Sequence, residues 1–258
     1  MYSKKELLQG LKTKTLGGKL FVFETIDSTN TCAKTLTQAG ADEGAVVIAD
    51  FQTNGRGRQG RPWVSLAGTG LLFSVILRPI LPKEKAGFLA FFAAVSIARA
   101  VEAATKLTAE CKWPNDVLLG GKKCCGLLLE NSVQNDRVES SILGIGLNVN
   151  QQAFEGELAG RATSLRIETG KEFDRIRLFR ELLMELDSTY WKIKEGQFDW
   201  VLEEWNSRCL MFGRPVSLSH ANQTVSGIAV ELSADGGLVL ETSRGRATYY
   251  AGDVTMSV

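Results

Sequence analysis

Residues 85–107 constrain the fold of this chain more than any other segment. They are Ala-rich and apolar around most of a helical circumference, so the spacing predicts a long helix with almost no polar face. Such a helix has to be covered on every side, which points to packing across a sheet. Its longest largely apolar run, 86–98, has 13 residues, short of the roughly 20 that a bilayer-spanning helix needs. No membrane association is expected.

Short apolar runs supply the strands of that sheet. Leu20-Phe21-Val22-Phe23, Ala45-Val46-Val47-Ile48-Ala49 and Gly70-Leu71-Leu72-Phe73-Ser74-Val75-Ile76-Leu77 precede the helix, and Pro79 and Pro82 close the last of them. Asp27-Ser28-Thr29-Asn30 offers N-cap residues for a short helix over about 30–39, with Gly40 ending it. Beyond the long helix, Leu118-Leu119, Gly120-Gly121 and the run 125–130 read as a hairpin, and 142–149 as a further strand. Cys124 and Cys125 are expected on opposite faces of their strand. Asp174 caps a helix whose apolar positions Ile176, Phe179, Leu182, Leu183, Leu186 and Tyr190 recur at helical spacing, and a second short helix covers 198–205. After Gly213-Arg214-Pro215 come short alternating strands with turn signals at Ala221-Asn222 and Asp235-Gly236-Gly237. This predicts a small all-β unit over 212–258 beside a larger α+β domain over 1–211.

The chain has 258 residues, 44% hydrophobic and 23% charged, which fits one large domain plus a small one and excludes intrinsic disorder. Thirty basic residues against 29 acidic ones leave a net charge of +1, which argues against broad electrostatic binding to nucleic acid or anionic membrane. Cys32, Cys111, Cys124, Cys125 and Cys209 are an odd, scattered set without CxxC pairs. Reduced thiols in the cytoplasm fit better than a disulfide framework or a zinc site. No signal peptide follows Met1.

The loop Gly55-Arg56-Gly57-Arg58-Gln59-Gly60-Arg61-Pro62-Trp63 is the most informative segment. It contains GxGxxG, but a Pro and a β-patterned segment follow where a dinucleotide fold requires a helix. No HRD or DFG accompanies it as in a kinase, and the chain has no Walker A sequence. The glycines expose N–H donors, and the interleaved arginines suit phosphate or carboxylate, with Trp63 placed to cover a planar group. The plainer reading is a solvated basic loop with Trp63 as a core anchor. The density of Arg around Gly favours anion binding.

Lys112-Trp113-Pro114-Asn115-Asp116 is a second constellation, followed by Lys122-Lys123. An amine, an amide and a carboxylate so close could orient a substrate and hold a metal on phosphate oxygens. Taken alone, the segment reads better as a polar hairpin tip. Lys123 nonetheless enters an apolar strand, where an unpaired ammonium is costly. Gly144-Ile145-Gly146-Leu147-Asn148-Val149-Asn150 has small residues where a strand passes something bulky, or is simply a packed strand ending in a turn. His220 is the only histidine, which disfavours Ser-His-Asp and Cys-His catalysis.

In order and spacing, the 55–63 loop, Lys112-Trp113-Pro114-Asn115-Asp116, Lys123-Cys124-Cys125-Gly126 and the 144–150 strand resemble the biotin protein ligase family. The likeness runs from Asp27-Ser28-Thr29-Asn30 to the C-terminal strands. It implies an α+β catalytic domain with a mixed sheet flanked by helices, class II synthetase-like and shared with lipoate ligases, plus a C-terminal SH3-like β-barrel. It also implies a two-step reaction. Biotin and ATP form biotinyl-5′-adenylate with Mg2+ assisting, and biotin then passes to a lysine of a carboxyl carrier domain of the acetyl-CoA carboxylase type. By motif match, Ser28, Thr29, Asn30, Gln52, Gly55, Arg56, Gly57, Arg58, Lys123 and Gly126 take the biotin side. Arg56, Arg58, Arg61, Trp63, Lys112, Asn115 and Asn148 take the ATP or adenylate side. Lys123, Arg58 and Asp116 carry the catalysis. Lys123 stabilises developing negative charge without acting as a nucleophile, and Asp116 holds Mg2+ or assists proton transfer. The resemblance also implies a homodimer.

Two departures stand out. About twenty residues precede the first core strand, too few for the winged helix-turn-helix of some relatives, so a ligase without DNA binding is expected. The C-terminus has Ser257 where relatives often place an arginine. The rival readings are a lipoate or octanoate ligase and a non-catalytic regulator that binds biotinyl adenylate.

Overall fold

The computed structural model describes residues 2–220 and 223–256. Among them, α1 (Lys4–Leu8), β1 (Leu20–Ile26), α2 (Thr29–Gln38), β2 (Val46–Gln52), β3 (Gly70–Leu77) and the two-residue β4 (Leu81–Pro82) lead to α3 (Phe88–Thr105). Then follow β5 (Ala109–Lys112), β6 (Asp116–Leu119), β7 (Lys122–Gln134), β8 (Arg137–Asn148), α4 (Leu165–Thr169), α5 (Arg175–Lys194) and α6 (Phe198–Asn206). The chain finishes in β9 (Pro215–His220), β10 (Gln223–Leu232), β11 (Leu238–Thr242), β12 (Gly245–Tyr249) and β13 (Asp253–Met256).

The apolar helix predicted over 85–107 is α3, which starts after a 3-10 turn over Lys83–Lys85 and ends where Lys106 turns left-handed at φ 63°. The stretch Lys83–Thr105 is long and apolar enough to cross a membrane by length and composition, more than the 13-residue run suggested, yet most of it is buried in the protein. It packs on one face of the main sheet beneath α5 and α6. Phe92 meets Tyr190 of α5 at 5.5 Å between ring centroids, and Phe88 meets Phe198 of α6 at 4.9 Å. Burial of such side chains drives the assembly, at roughly 1.5–3 kcal/mol each.

The main sheet has eight strands, in the order β1-β2-β3-β8-β7-β6-β5 with β4 on β8. β1 and β2 are parallel and the other pairs antiparallel, a mixed sheet as expected. Strand alternation divides the two faces. In β8, Leu143, Ile145 and Leu147 join the large core on the α3 side. Ile142 joins a smaller cluster under α2, followed on that face by Gly144 and Gly146.

One expectation fails at β7. Cys124 and Cys125, expected on opposite faces, both lie fully buried in the α3-side core. The pairing runs Asp116↔Gly126, Val117↔Cys125 and Leu118↔Lys123, which leaves Cys124 as an extra residue in a β-bulge. The bulge shifts the strand's phase, so Lys123 points to the face opposite the core. Burial pushes the Cys124 thiol up to about 12 and the Cys209 thiol to about 11, so both stay protonated and inert near neutral pH. All five cysteines are free.

The strands expected after residue 212 form a five-stranded antiparallel sheet, in the order β12-β11-β10-β9-β13. It is seated on α3 and α6. Trp113 Nε1 donates to Gly236 O at 3.3 Å, and Trp205 meets Phe212 at 6.2 Å. A side chain at Gly236 would come within 2.5 Å of the Phe91 ring, so the turn Asp235-Gly236-Gly237 seats there only with glycine. The turn expected at Ala221-Asn222 and the position of Ser257 lie outside the described residues.

At the N-terminus, buried Asp187 of α5 accepts from the backbone N–H groups of Lys14 (2.7 Å), Thr15 (2.8 Å) and Leu16 (2.8 Å). This fastens residues 14–16 before the chain enters β1. Asp187→Ala strands these donors and is expected to lower unfolding free energy by about 2–4 kcal/mol, as read by urea denaturation. A loss below about 1 kcal/mol would show that the anchor contributes little.

Candidate active site

On the face opposite α3 lies a cavity of about 730 Å³. Its floor is made of strand glycines. A Cβ at Gly146 would stand 2.4 Å from the Trp63 indole, one at Gly126 2.8 Å from it, and one at Gly144 2.2 Å from Asn30 Oδ1. Larger residues would collide with Trp63 and Asn30, so the glycines read from the 144–150 run let these side chains lie directly on the sheet.

One end of the cavity is neutral and polar. Ser28 occupies the N-cap position of α2 without a side-chain cap hydrogen bond, and it lines the cavity. Gln52 Oε1 accepts from Thr29 N at 2.7 Å and from Thr29 Oγ1 at 2.9 Å. Asn30 is held from both sides. Fully buried Ser74 lies 2.6 Å from Asn30 Oδ1, while Asn30 Nδ2 donates to Glu130 Oε2 at 2.7 Å. Ser74 and Glu130 were missed by sequence reasoning. The alternation of β3 and β7 was available to place them on this face, but nothing local paired them with Asn30.

The other end is cationic. Lys123 Nζ lies 2.6 Å from Asp116 Oδ1, the ion pair that makes an ammonium tolerable in an apolar strand. The ammonium also sits 5.6 Å from the Trp63 ring centroid. Lys112 opposes Asp116 on the next strand; burial lowers its pKa and nearby Asp116 offsets part of that. Arg58 Nη1 donates to Gly252 O at 3.1 Å and Asn115 Oδ1 at 3.3 Å, and pairs with Asp253 Oδ1 at 3.4 Å. Burial lowers its pKa too, against the pull of Asp253 and Asp116. Arg61 pairs with the other Asp253 oxygen. Asp253 begins β13, so the C-terminal sheet reaches into the site, a contact that no local signal announced.

The remaining expectations sort cleanly. Gly57 lines the cavity beside these arginines, and Arg56 reaches over α2, donating to Thr31 Oγ1 at 3.0 Å. Gly55 does not line it. It is buried at the loop's neck, where a Cβ would meet Trp63 O at 2.6 Å, and its carbonyl accepts from Trp63 N at 2.9 Å. Asn148 borders the cavity, but its amide is used internally, donating to Thr163 O at 3.0 Å and accepting from Gln151 at 3.1 Å. The loop carries a 3-10 turn over Arg58–Gly60 with Gln59 at φ 55°, and no strand starts before Gly70. His220 is exposed at the end of β9 and does not line the cavity.

Residues 22–148 match the model of the biotin/lipoate A/B protein ligase family, and residues 211–257 that of the biotin protein ligase C-terminal domain. The Bacillus spizizenii bifunctional ligase/repressor BirA is 38% identical over 98% of this chain and 79% of its own length. The chain belongs to the biotin protein ligase family. Within it, the Mycobacterium tuberculosis biotin--[acetyl-CoA-carboxylase] ligase is 34% identical over 88% of this chain and 85% of its own. The Aquifex aeolicus biotin protein ligase, solved in complex with biotin and ATP, superimposes with a TM-score of 0.79 at 33% identity, covering 93% of this chain and 99% of that one.

In this family member, Asp253 restrains both loop arginines while itself being about one-third exposed. Partly exposed pairs are worth up to about 1 kcal/mol. Asp253→Asn is therefore expected to leave the denaturation midpoint in place while trypsin cleaves after Arg58 roughly three- to fivefold faster. Equal cleavage rates would show that the loop is held by other contacts.

Proposed function

We infer that the protein is an ATP-dependent biotin protein ligase, forming biotinyl-5′-adenylate and then transferring biotin to a lysine of a carboxyl carrier domain of the acetyl-CoA carboxylase type. One observation carries this reading. A glycine floor joins a neutral polar end, suited to an uncharged cyclic urea, to an end where Lys123, Lys112 and Arg58 converge. A carboxylate and a polyphosphate meet only where positive charge is concentrated and fixed in advance.

In the first step a biotin carboxylate oxygen attacks the α-phosphorus of ATP, the P–O bond to the β-phosphate breaks, and pyrophosphate leaves. Lys123 binds the carboxylate, and Arg58 and Lys112 hold phosphate oxygens. In the second step the carrier's lysine amine attacks the anhydride carbonyl, AMP leaves, and the nitrogen loses its proton as the amide forms. Lys123 then donates to the carbonyl oxygen as it becomes negative. Asp116 orients the Lys123 ammonium. Trp63 and the 55–63 loop keep water from the anhydride. A magnesium ion accompanying ATP would lower the charge of the phosphates, held with the help of one or two protein carboxylates. Asp116, which lines the cavity, is the carboxylate that would help hold it. Among the described residues no cluster of three ligating side chains forms a cage.

Residues 1–211 form the catalytic unit in this reading, and 212–258 a C-terminal unit that supplies Asp253. Five free thiols support action in the cytoplasm. The outer edge of β1, which pairs with no other strand among the described residues, supports assembly as a homodimer. A net charge of +1 gives no support to DNA binding.

Pyrophosphate exchange into ATP, driven separately by biotin, lipoate and octanoate, tests the reading. Biotin alone is expected to support it. Exchange with lipoate instead would overturn the substrate, and no exchange with any acid would favour a regulator. Lys123→Ala is expected to lower biotin-dependent exchange about 10²–10³-fold with an unchanged circular dichroism spectrum. Undiminished exchange would remove Lys123 from the chemistry.

A further inference from the structure

Lys123 stands two residues before the first pairing of β7 with β8, which begins at Cys125↔Leu147. On that side β8 offers its backbone nothing, and a different segment takes its place. Lys123 N donates to Arg161 O at 2.9 Å, Thr163 N donates to Lys123 O at 2.9 Å, and Lys123 and Ala162 form an isolated parallel bridge. Both backbone polar groups of the cavity's central lysine are thus held by residues 161–163.

Those residues are fastened by a carboxylate that no part of the mechanism above uses. Thr163, fully buried, donates its hydroxyl to Glu168 Oε1 at 2.6 Å, a short bond to a charged acceptor. Glu168 lies on α4 with a side chain 19% exposed, and Lys122 Nζ is 3.7 Å from the same oxygen. From the other direction the hairpin turn closes on it: a Cβ at Gly120 would stand 2.8 Å from Glu168 Oε2. One carboxylate therefore ties the segment that grips Lys123 to the hairpin that carries Lys123.

We propose that Glu168 is a positioning residue for Lys123, acting through Thr163. The proposal rests on the reading of Lys123 as the group that stabilises negative charge. Glu157, Leu158 and residues 160–162 border the cavity, so the grip on Lys123 and the wall of the site are one piece of chain. A lysine side chain is long and flexible, and its ammonium is directed only if its backbone and one neighbour are fixed. Asp116 fixes the head, and Glu168, through Thr163, fixes the base.

The test uses the full chain with Glu168→Ala and the near-isosteric Thr163→Val. Each is expected to slow adenylate formation at saturating biotin and ATP by roughly tenfold, the scale of a small misplacement, with biotin affinity within about twofold of the parent. Added to Lys123→Ala, Glu168→Ala is expected to change the residual rate by less than about twofold, because the effect passes through the missing side chain. Independently of any substrate, amide hydrogen exchange at Lys123 is expected to accelerate roughly tenfold in both variants while Leu127 and Ile145 keep their protection. Additive losses in the double variant, or unaltered exchange at Lys123, would overturn the proposal. If the parent forms no adenylate from biotin, the ligase reading fails, and the exchange measurement still decides whether Glu168 positions Lys123.

Discussion

The ion pair between Lys123 and Asp116 exists because of a single extra residue. Without the bulge at Cys124, strict alternation would send Lys123 into the apolar core with Cys125 and Leu127. A bare ammonium there would cost several kcal/mol. The bulge re-aims the lysine to the cavity face, where Asp116 on the neighbouring strand lies 2.6 Å away. The same phase shift lets Cys124 and Cys125 both serve as core residues. Charge placement and core packing are two results of one irregularity.

The main sheet then acts as a partition. One face is filled by α3, α5 and α6, whose aromatic side chains pack in the buried core. The other face is hollowed where glycines replace side chains, and α2 and the 55–63 loop stand over the hollow. Because the two faces alternate along the same strands, the rigidity of the core is passed directly to the floor of the site. The polar side chains above it are fixed by neighbours, as with Ser74 and Glu130 around Asn30.

The C-terminal sheet is more than an appendage. Trp113 and Phe91 seat its Gly236 turn against the first unit, and that seating brings Asp253 to Arg58 and Arg61. The loop arginines are thereby folded over the cavity and not dispersed in solvent. Arg58 is held at three points, which suits a group that has to meet a phosphate with little reorganisation.

Much of this was legible from residue order because it is local. The circumference of the 85–107 segment foretold the buried α3, Asp174 capped α5 as its side chain promised, and glycines in a strand marked a close approach. The 55–63 and 112–126 motifs named most of the cationic side chains that line the cavity. Tertiary structure decided what depends on register and on contacts between distant residues. It placed the bulge that turned Lys123, took Gly55 out of the cavity wall, and turned the Asn148 amide to Thr163 and Gln151. It also brought Asp253 to residues nearly two hundred positions earlier, and set 161–163 beside Lys123. Periodicity and capping are written within a few residues of chain, whereas these pairings exist only once sheets and helices have closed on one another.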